Sequence, residues 1–228
     1  MPLAIITGAS RGLGLALARS LAGDGWALVI DARGAAELER AARELAALTE
    51  VAAVVGDVSD PEHRAALLNA AAERVDLLVN NASVLGPSPQ PALDRYALEE
   101  LERVYRVNVL APLALVQLVL PRLPDAGAVI NITSDAAVEP YEGWGGYGSS
   151  KAALEQLTAI LAAEHPELRI YAVDPGDMRT QMHQEAFPGE DISDRPPPED
   201  SVPGLRRLID VAAPSGRYRT RDLVEVGA

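Results

Sequence analysis

Leu3-Ala4-Ile5-Ile6-Thr7-Gly8-Ala9-Ser10-Arg11-Gly12-Leu13-Gly14 is the stretch whose reading decides the fold. Four apolar residues lead into a turn with glycines at 8, 12 and 14. A helical pattern follows from Leu15 to Ala22 and stops at Gly23-Asp24-Gly25, and Trp26 to Ile30 is the next apolar run. Strand, glycine turn, helix, strand is one βαβ unit. Gly8 allows a sharp turn, Gly12 lets a diphosphate approach bare backbone, and Gly14 lets the helix pack close to the strand. The first amides and the positive end of the helix face the same point. The glycine spacing differs from G-x-G-x-x-G, and no G-x-x-x-x-G-K-[ST] is present, which argues against a P-loop nucleotidase.

The pattern repeats along the chain. Ala35 to Leu48 reads as a helix and Val51 to Val55 as a strand ending at Gly56-Asp57-Val58. Asp60-Pro61 caps a helix expected to run through Ala72. Asp76 to Val79 reads as a strand ending at Asn80-Asn81-Ala82-Ser83. Leu93 to Leu123 is one long helix or a broken one, with Pro112 permitting a kink. Further strands are expected over Ala128 to Ile132, over Arg169 to Val173, and in the tail from Gly216; a short helix is expected over Leu205 to Ala212. The acidic, proline-rich segment 178–203 reads as a mobile lid or partly ordered loop. Strands alternating with helices imply one α/β domain over residues 1–228, a doubly wound parallel sheet covered on both faces. Ligands of such sheets bind outside the carboxyl ends of the strands. Gly8 to Gly14, Asp57, Asn80 to Ala82, Ser134 and Pro175-Gly176 each follow a strand, so they should gather along one edge.

Composition narrows the function. Hydrophobic residues make up 48% of 228, enough for a sizeable core, and the absence of cysteine excludes disulfides and thiolate chemistry. A net charge of −13 disfavours nucleic acid as a partner. The amino terminus runs straight into a strand, and no apolar run approaches the ~18 residues of a membrane span, so a cytoplasmic protein with no membrane partner is expected. His63, His165 and His183 show no metal-ligand spacing and read as surface or capping residues; no metal is expected.

Tyr147-Gly148-Ser149-Ser150-Lys151 opens an Ala- and Leu-rich helical run, Ala152 to Glu164. Residues four apart on a helix share a face, so phenol and ammonium can enter one cleft. A nearby cation would lower the phenol from its ordinary pKa of ~10. Of 20 Lys plus Arg residues, Lys151 is the one lysine, which marks a site where a compact ammonium is required.

Taken together, these residues resemble the short-chain dehydrogenase/reductase family from Leu3 to about Thr180. The motifs are Thr7-Gly8-x-x-x-Gly12-x-Gly14, Asn80-Asn81-Ala82, Asn108, Ser134, Tyr147-x-x-x-Lys151 and Pro175-Gly176, with 26 residues from Asn108 to Ser134 and 13 from there to Tyr147. Ser83 departs from the family, which usually has glycine there. The resemblance implies a Rossmann-like sheet of about seven strands and hydride exchange between a nicotinamide and a carbonyl or alcohol. Tyr147 would be the general acid/base, and Ser134 would hydrogen-bond the reacting oxygen. Lys151 would lower the tyrosine pKa and hold the nicotinamide ribose. Asn108 would fix a water leading from Lys151 to solvent. Read alone, Ser134 is equally a helix cap and Asn108 a helix-kink residue. The resemblance assigns the glycine turn, Thr7, Ser10, Arg11 and Leu13 with it, to the cofactor. Asp57 and Val58 would flank the adenine, Asn81 and Ala82 the ribose, and Pro175, Gly176 and Thr180 the diphosphate or carboxamide. Related proteins often pair through the long helix and the Tyr147 helix, implying a homodimer or homotetramer.

A 2′-phosphate needs cations, whereas a free 2′-hydroxyl is usually gripped by a carboxylate. Arg11 and Arg33 therefore favour NADP(H), with Ala32 where NAD-preferring relatives carry Asp. Asp31 lies one residue earlier, and a register shifted by one would favour NAD(H). The alternative to an oxidoreductase is a catalytically silent dinucleotide-binding regulator; the short chain leaves little room for nucleotide-sugar chemistry. Ser83 to Pro91, Val138 to Trp144 and Met178 to Pro203 should form the substrate pocket. Trp144, Tyr141 and Met182 hint at an apolar or aromatic substrate.

Overall fold

The computed structural model describes residues 1–71 and 73–224. Its centre is a seven-stranded sheet in the order β3-β2-β1-β4-β5-β6-β7, every pairing parallel. The strands are β1 (Leu3–Ile6), β2 (Ala27–Ala32), β3 (Val51–Val55), β4 (Leu77–Asn80), β5 (Ala128–Ile132), β6 (Arg169–Asp174) and β7 (Gly216–Arg219). The helices are α1 (Gly12–Gly23), α2 (Ala35–Leu45), α3 (Pro61–Ala70), α4 (Leu98–Tyr105), α5 (Ala111–Val119), α6 (Gly145–Glu164), α7 (Gln181–Ala186), α8 (Val202–Asp210) and α9 (Thr220–Val224). The expected doubly wound sheet is therefore present, including the seventh strand.

Strand alternation explains why the central runs are apolar throughout. Ala4, Ile6, Leu28 and Ile30 enter one core with α1, α2 and α8, while Ile5, Val29, Leu78 and Val129 enter the other with α3, α5 and α6. Both faces are buried, so neither can be polar.

Several boundaries differ from the expectation. The first helix starts at Gly12, inside the glycine turn, and α3 ends at Ala70; Ala72 lies outside the described residues. The Tyr147 helix begins at Gly145, ahead of the phenol. The long helix is broken by one wide π turn, Arg106–Leu110, between α4 and α5. Pro112 has no N–H for the carbonyl of Asn108 four residues back, so the winding loosens there. The whole stretch Leu98–Arg122 is long and apolar enough by composition to cross a membrane, contrary to the run-length reading, and half of its apolar window is buried inside the fold. Segment 178–203 is folded: α7 is capped by Thr180, whose Oγ1 accepts from His183 N at 3.3 Å, and the Arg179 amide donates to Pro196 O at 2.8 Å.

A buried polar ladder aligns the elements that carry the site. Asn80 Nδ2 donates to Asn131 Oδ1 at 2.8 Å, Asn131 Nδ2 to Thr158 Oγ1 at 2.9 Å, and Thr158 Oγ1 to Leu154 O at 2.6 Å. It ties β4, β5 and α6 through residues at most 3% exposed. Asn131→Leu should therefore cost about 2–4 kcal/mol in urea unfolding, because shape is kept while buried polar groups lose partners. A neutral result would show that the ladder does not align these elements.

Candidate active site

A cavity of about 1050 Å³ opens beyond the carboxyl ends of the strands. It runs from Arg33, Asp57 and Val58 past the glycine turn to Ser134, Tyr147 and Lys151. Gly8, Ser10, Arg11, Gly12, Leu13, Asn81, Ala82, Pro175, Gly176 and Thr180 also line it. Thr7, Gly14 and Asn108 stand behind its wall.

The glycine turn is held from beneath. Thr7 Oγ1 accepts the amides of Asn81 and Ala82, each at 3.0 Å. Asn81 Nδ2 donates to Thr7 O at 2.8 Å and to Gly8 O at 3.1 Å, so its amide braces the turn. A Cβ on Gly14 would stand 2.6 Å from Asn81 Nδ2, so this glycine makes room for the brace. Gly8 and Gly12 have φ of +66° and +56°. A Cβ on Gly12 would meet only Thr180 Cγ2, at 3.7 Å, which leaves bare backbone facing the cavity at the start of α1. This cradle fits a diphosphate. At its far end Arg33 and Arg11 are exposed, Arg11 being 3.9 Å from Glu37. Asp57 turns to the Ser59 amide at 2.8 Å; burial raises its carboxyl, but Ser59, Arg33 and His63 together hold it below the usual range.

One sequence expectation about this end of the cavity changes. Asp31 is 1% exposed and shares the face of Val29, and both it and Ala32 line the cavity. His63, expected at the surface, is buried: its Nε2 lies 2.9 Å from Asp31 Oδ2.

At the other end, Lys151 is 2% exposed, donates to Ile132 O at 2.8 Å and sits 5.4 Å from the Tyr147 ring centroid. Burial pushes its ammonium down to about 7, against a smaller upward pull from Glu155. Burial also raises the Tyr147 phenol, helped by the charges of Asp174 and Asp135, while hydrogen bonds with Ser83 and Ser134 pull it back in part. The expected acidification of Tyr147 by Lys151 is thus reversed in the protein alone. Desolvation acts on both groups, and the ammonium is directed at a carbonyl. Ser134 accepts from Ala136 N at 3.2 Å and donates to Asp135 at 2.9 Å, so it caps a turn while facing the phenol.

Asn108 is fully buried in the π turn, and all four of its side-chain hydrogen-bonding positions are occupied. Nδ2 donates to Val84 O and Ser150 Oγ, and Oδ1 accepts from Val84 N and Ser83 Oγ. The side chain has no capacity left for a water, so its bonds brace the π turn against Val84 and Ser150. Glu155 and Arg217 went unnoticed in the sequence as site residues. Glu155 accepts from Thr133 Oγ1 at 2.7 Å and from Arg217 Nε at 2.9 Å, and Arg217 reaches Ser134 O at 3.4 Å. Their i, i+4 placement with Lys151 on α6 was visible for Glu155; Arg217 carried no local signal.

Comparison with known proteins accords with this geometry. The family model for short chain dehydrogenase matches residues 2–191. Sepiapterin reductase of Meriones unguiculatus is 35% identical, the match covering 79% of this chain and 75% of the relative. Benzil reductase ((S)-benzoin forming) of Saccharomyces cerevisiae is 34% identical over 97% of this chain and 84% of its own. A short chain dehydrogenase of Escherichia coli CFT073 complexed with NADPH superposes with a TM-score of 0.86 at 27% identity, covering 96% of both chains. This chain is an oxidoreductase of the short chain dehydrogenase family.

Proposed function

We propose that the protein reduces an uncharged aromatic ketone or aldehyde with NADPH, Tyr147 giving the proton to the carbonyl oxygen. The observation that carries this reading is the convergence of Tyr147, Ser134 and Lys151 at one end of the cavity whose other end carries Arg33. The dinucleotide, when bound, supplies the hydride. The phenol, raised by burial, keeps its proton across the assay range and so enters as a donor. Ser134 supports the same oxygen as charge develops on it. Lys151, in its ammonium form, stabilises the phenolate left after donation and offers a donor to the nicotinamide ribose. NADPH is favoured by the exposed Arg33 and Arg11 and by the engagement of Asp31 elsewhere, and the E. coli relative described above carries NADPH.

The substrate class follows from the other wall. Trp144 lies edge-on to Tyr147 with centroids 5.8 Å apart, and is 5.8 Å from Phe187, the one phenylalanine in the chain. Tyr141 adds a further edge contact to Trp144 at 6.2 Å. Aromatic residues are only 4% of the sequence, so this clustering is a local choice. Glu142, Glu185, Asp135 and Asp177 on the same wall disfavour an anion.

Tyr147→Phe should lower kcat for NADPH-dependent reduction of an aryl ketone at least ~100-fold, with NADPH affinity within about twofold of wild type. Retention of most turnover would remove the proton donor from this scheme. Neutral aryl methyl ketones should exceed their carboxylated analogues in kcat/KM by about tenfold or more, and equal rates would discard the substrate class. The single lysine permits a direct titration: with ¹³Cε-lysine, one NMR signal should move with a midpoint near 7 in the ligand-free protein. This group is depressed from 10.5, so its burial penalty is full below about 7 and is relieved as pH rises toward 10.5. A midpoint near 10.5 would mean that the amine reaches water.

A further inference from the structure

Asp31 and His63 form a buried pair beneath the adenosine end of the cavity, and the scheme above gives His63 no role. Asp31 Oδ1 accepts the Gly8 amide at 2.6 Å, and Oδ2 faces His63 Nε2 at 2.9 Å. A carboxylate at neutral pH only accepts, so Nε2 carries the hydrogen and donates. The two side chains are 1% and 5% exposed. The fold makes room for the ring: Asp60 and Pro61 start α3 so that His63 falls in its first turn, and a Cβ on Gly56 at the end of β3 would collide with it. Three strand ends are joined here, through Gly8, Asp31 and Gly56.

Asp31 nevertheless lines the cavity between Gly8 and Arg33. A carboxylate in that place has two uses: it can accept from a free 2′-hydroxyl, or it can be engaged by the protein, leaving the space to a 2′-phosphate. We infer that His63 is a specificity-determining residue: by holding Asp31 Oδ2 it withdraws that carboxylate from the ribose, so that Arg33 and Arg11 set the preference for NADPH over NADH. Without His63, Oδ2 loses its donor in a buried position and is satisfied best by the 2′-hydroxyl of NADH, while it repels a 2′-phosphate. The inference rests on the NADPH reading given above and deepens it.

Dinucleotide affinities, read by fluorescence titration without turnover, test it. His63→Leu should reduce the preference for NADPH over NADH by about tenfold or more, with NADPH weakened and NADH tightened. Adding Asp31→Asn to His63→Leu should restore the preference, because the repelling charge is gone. His63→Gln, which keeps a donor, should stay within about twofold of wild type. Should His63→Leu fail to fold, His63→Asn, too short to reach Asp31, takes its place with the same expectation. An unchanged ratio, equal weakening of both dinucleotides, or no restoration in the double variant would overturn the role of His63. Wild-type protein that itself favours NADH would overturn the cofactor reading instead.

Discussion

The ammonium of Lys151 has almost no contact with water, and most of the site is arranged around that fact. A buried cation is unfavourable unless it is hydrogen-bonded and faces compensating charge. The protein gives it Ile132 O as acceptor and the field of Glu155 one turn along α6. The same three residues at the end of β5 are each gripped: Ile132 by Lys151, Thr133 by Glu155, and Ser134 through its carbonyl by Arg217 from β7. Placing the ammonium therefore also places the hydroxyl of Ser134. An arginine could not replace it, since a planar fork with five donors would leave several unpaired in a space shaped for one.

The opposite end solves a different problem, the presentation of bare backbone to an anion. A glycine turn is entropically expensive to fix. Here Thr7, Asn81 and Asp31 fix it from three strands, each through hydrogen bonds to the turn or its neighbours. Asn81 and Ala82 thus line the cavity and also hold the turn in shape.

The fold was legible because its signal is redundant. Apolar runs of β length, each followed by a glycine or polar cluster, repeated often enough to fix a parallel sheet and the edge where ligands bind. The site was legible where spacing on one element decides it, as with Tyr147 and Lys151. It was not legible where partners come from distant elements. His63 looked like a capping residue because nothing local reveals that α3 presents it to β2. Arg217 sits 62 residues beyond Glu155 on an edge strand. The direction of the tyrosine shift differs from expectation for the same reason: helix geometry gives proximity to the amine, but only the packed structure gives desolvation, the largest cause of the upward shift. Asn108 was placed correctly on the long helix, yet its occupancy by Ser83, Val84 and Ser150 depends on loops that periodicity does not describe.

The two ends of the cavity are consequently governed by different physics. The end beside Arg33 and Arg11 carries charged groups and an engaged carboxylate, Asp31. At the Tyr147 end, Trp144, Leu85 and Met182 pack around the phenol, and carboxylates such as Glu142 and Glu185 stand on the same lining. Long-range charge links them only weakly, because exposed charges are screened over about 10 Å at ordinary ionic strength. What connects them mechanically is the segment after β6. It carries Gly176 and Thr180 beside the glycine turn and Met182 and Ala186 beside Tyr147, and Ser88 donates to Glu185 O at 2.6 Å to fasten it. On the proposed reading hydride passes only when dinucleotide and substrate are both seated, and this segment borders both parts of the cavity. In this protein the connection is one short, capped helix, α7, with its preceding loop against the cofactor cradle and its apolar side chains beside the phenol.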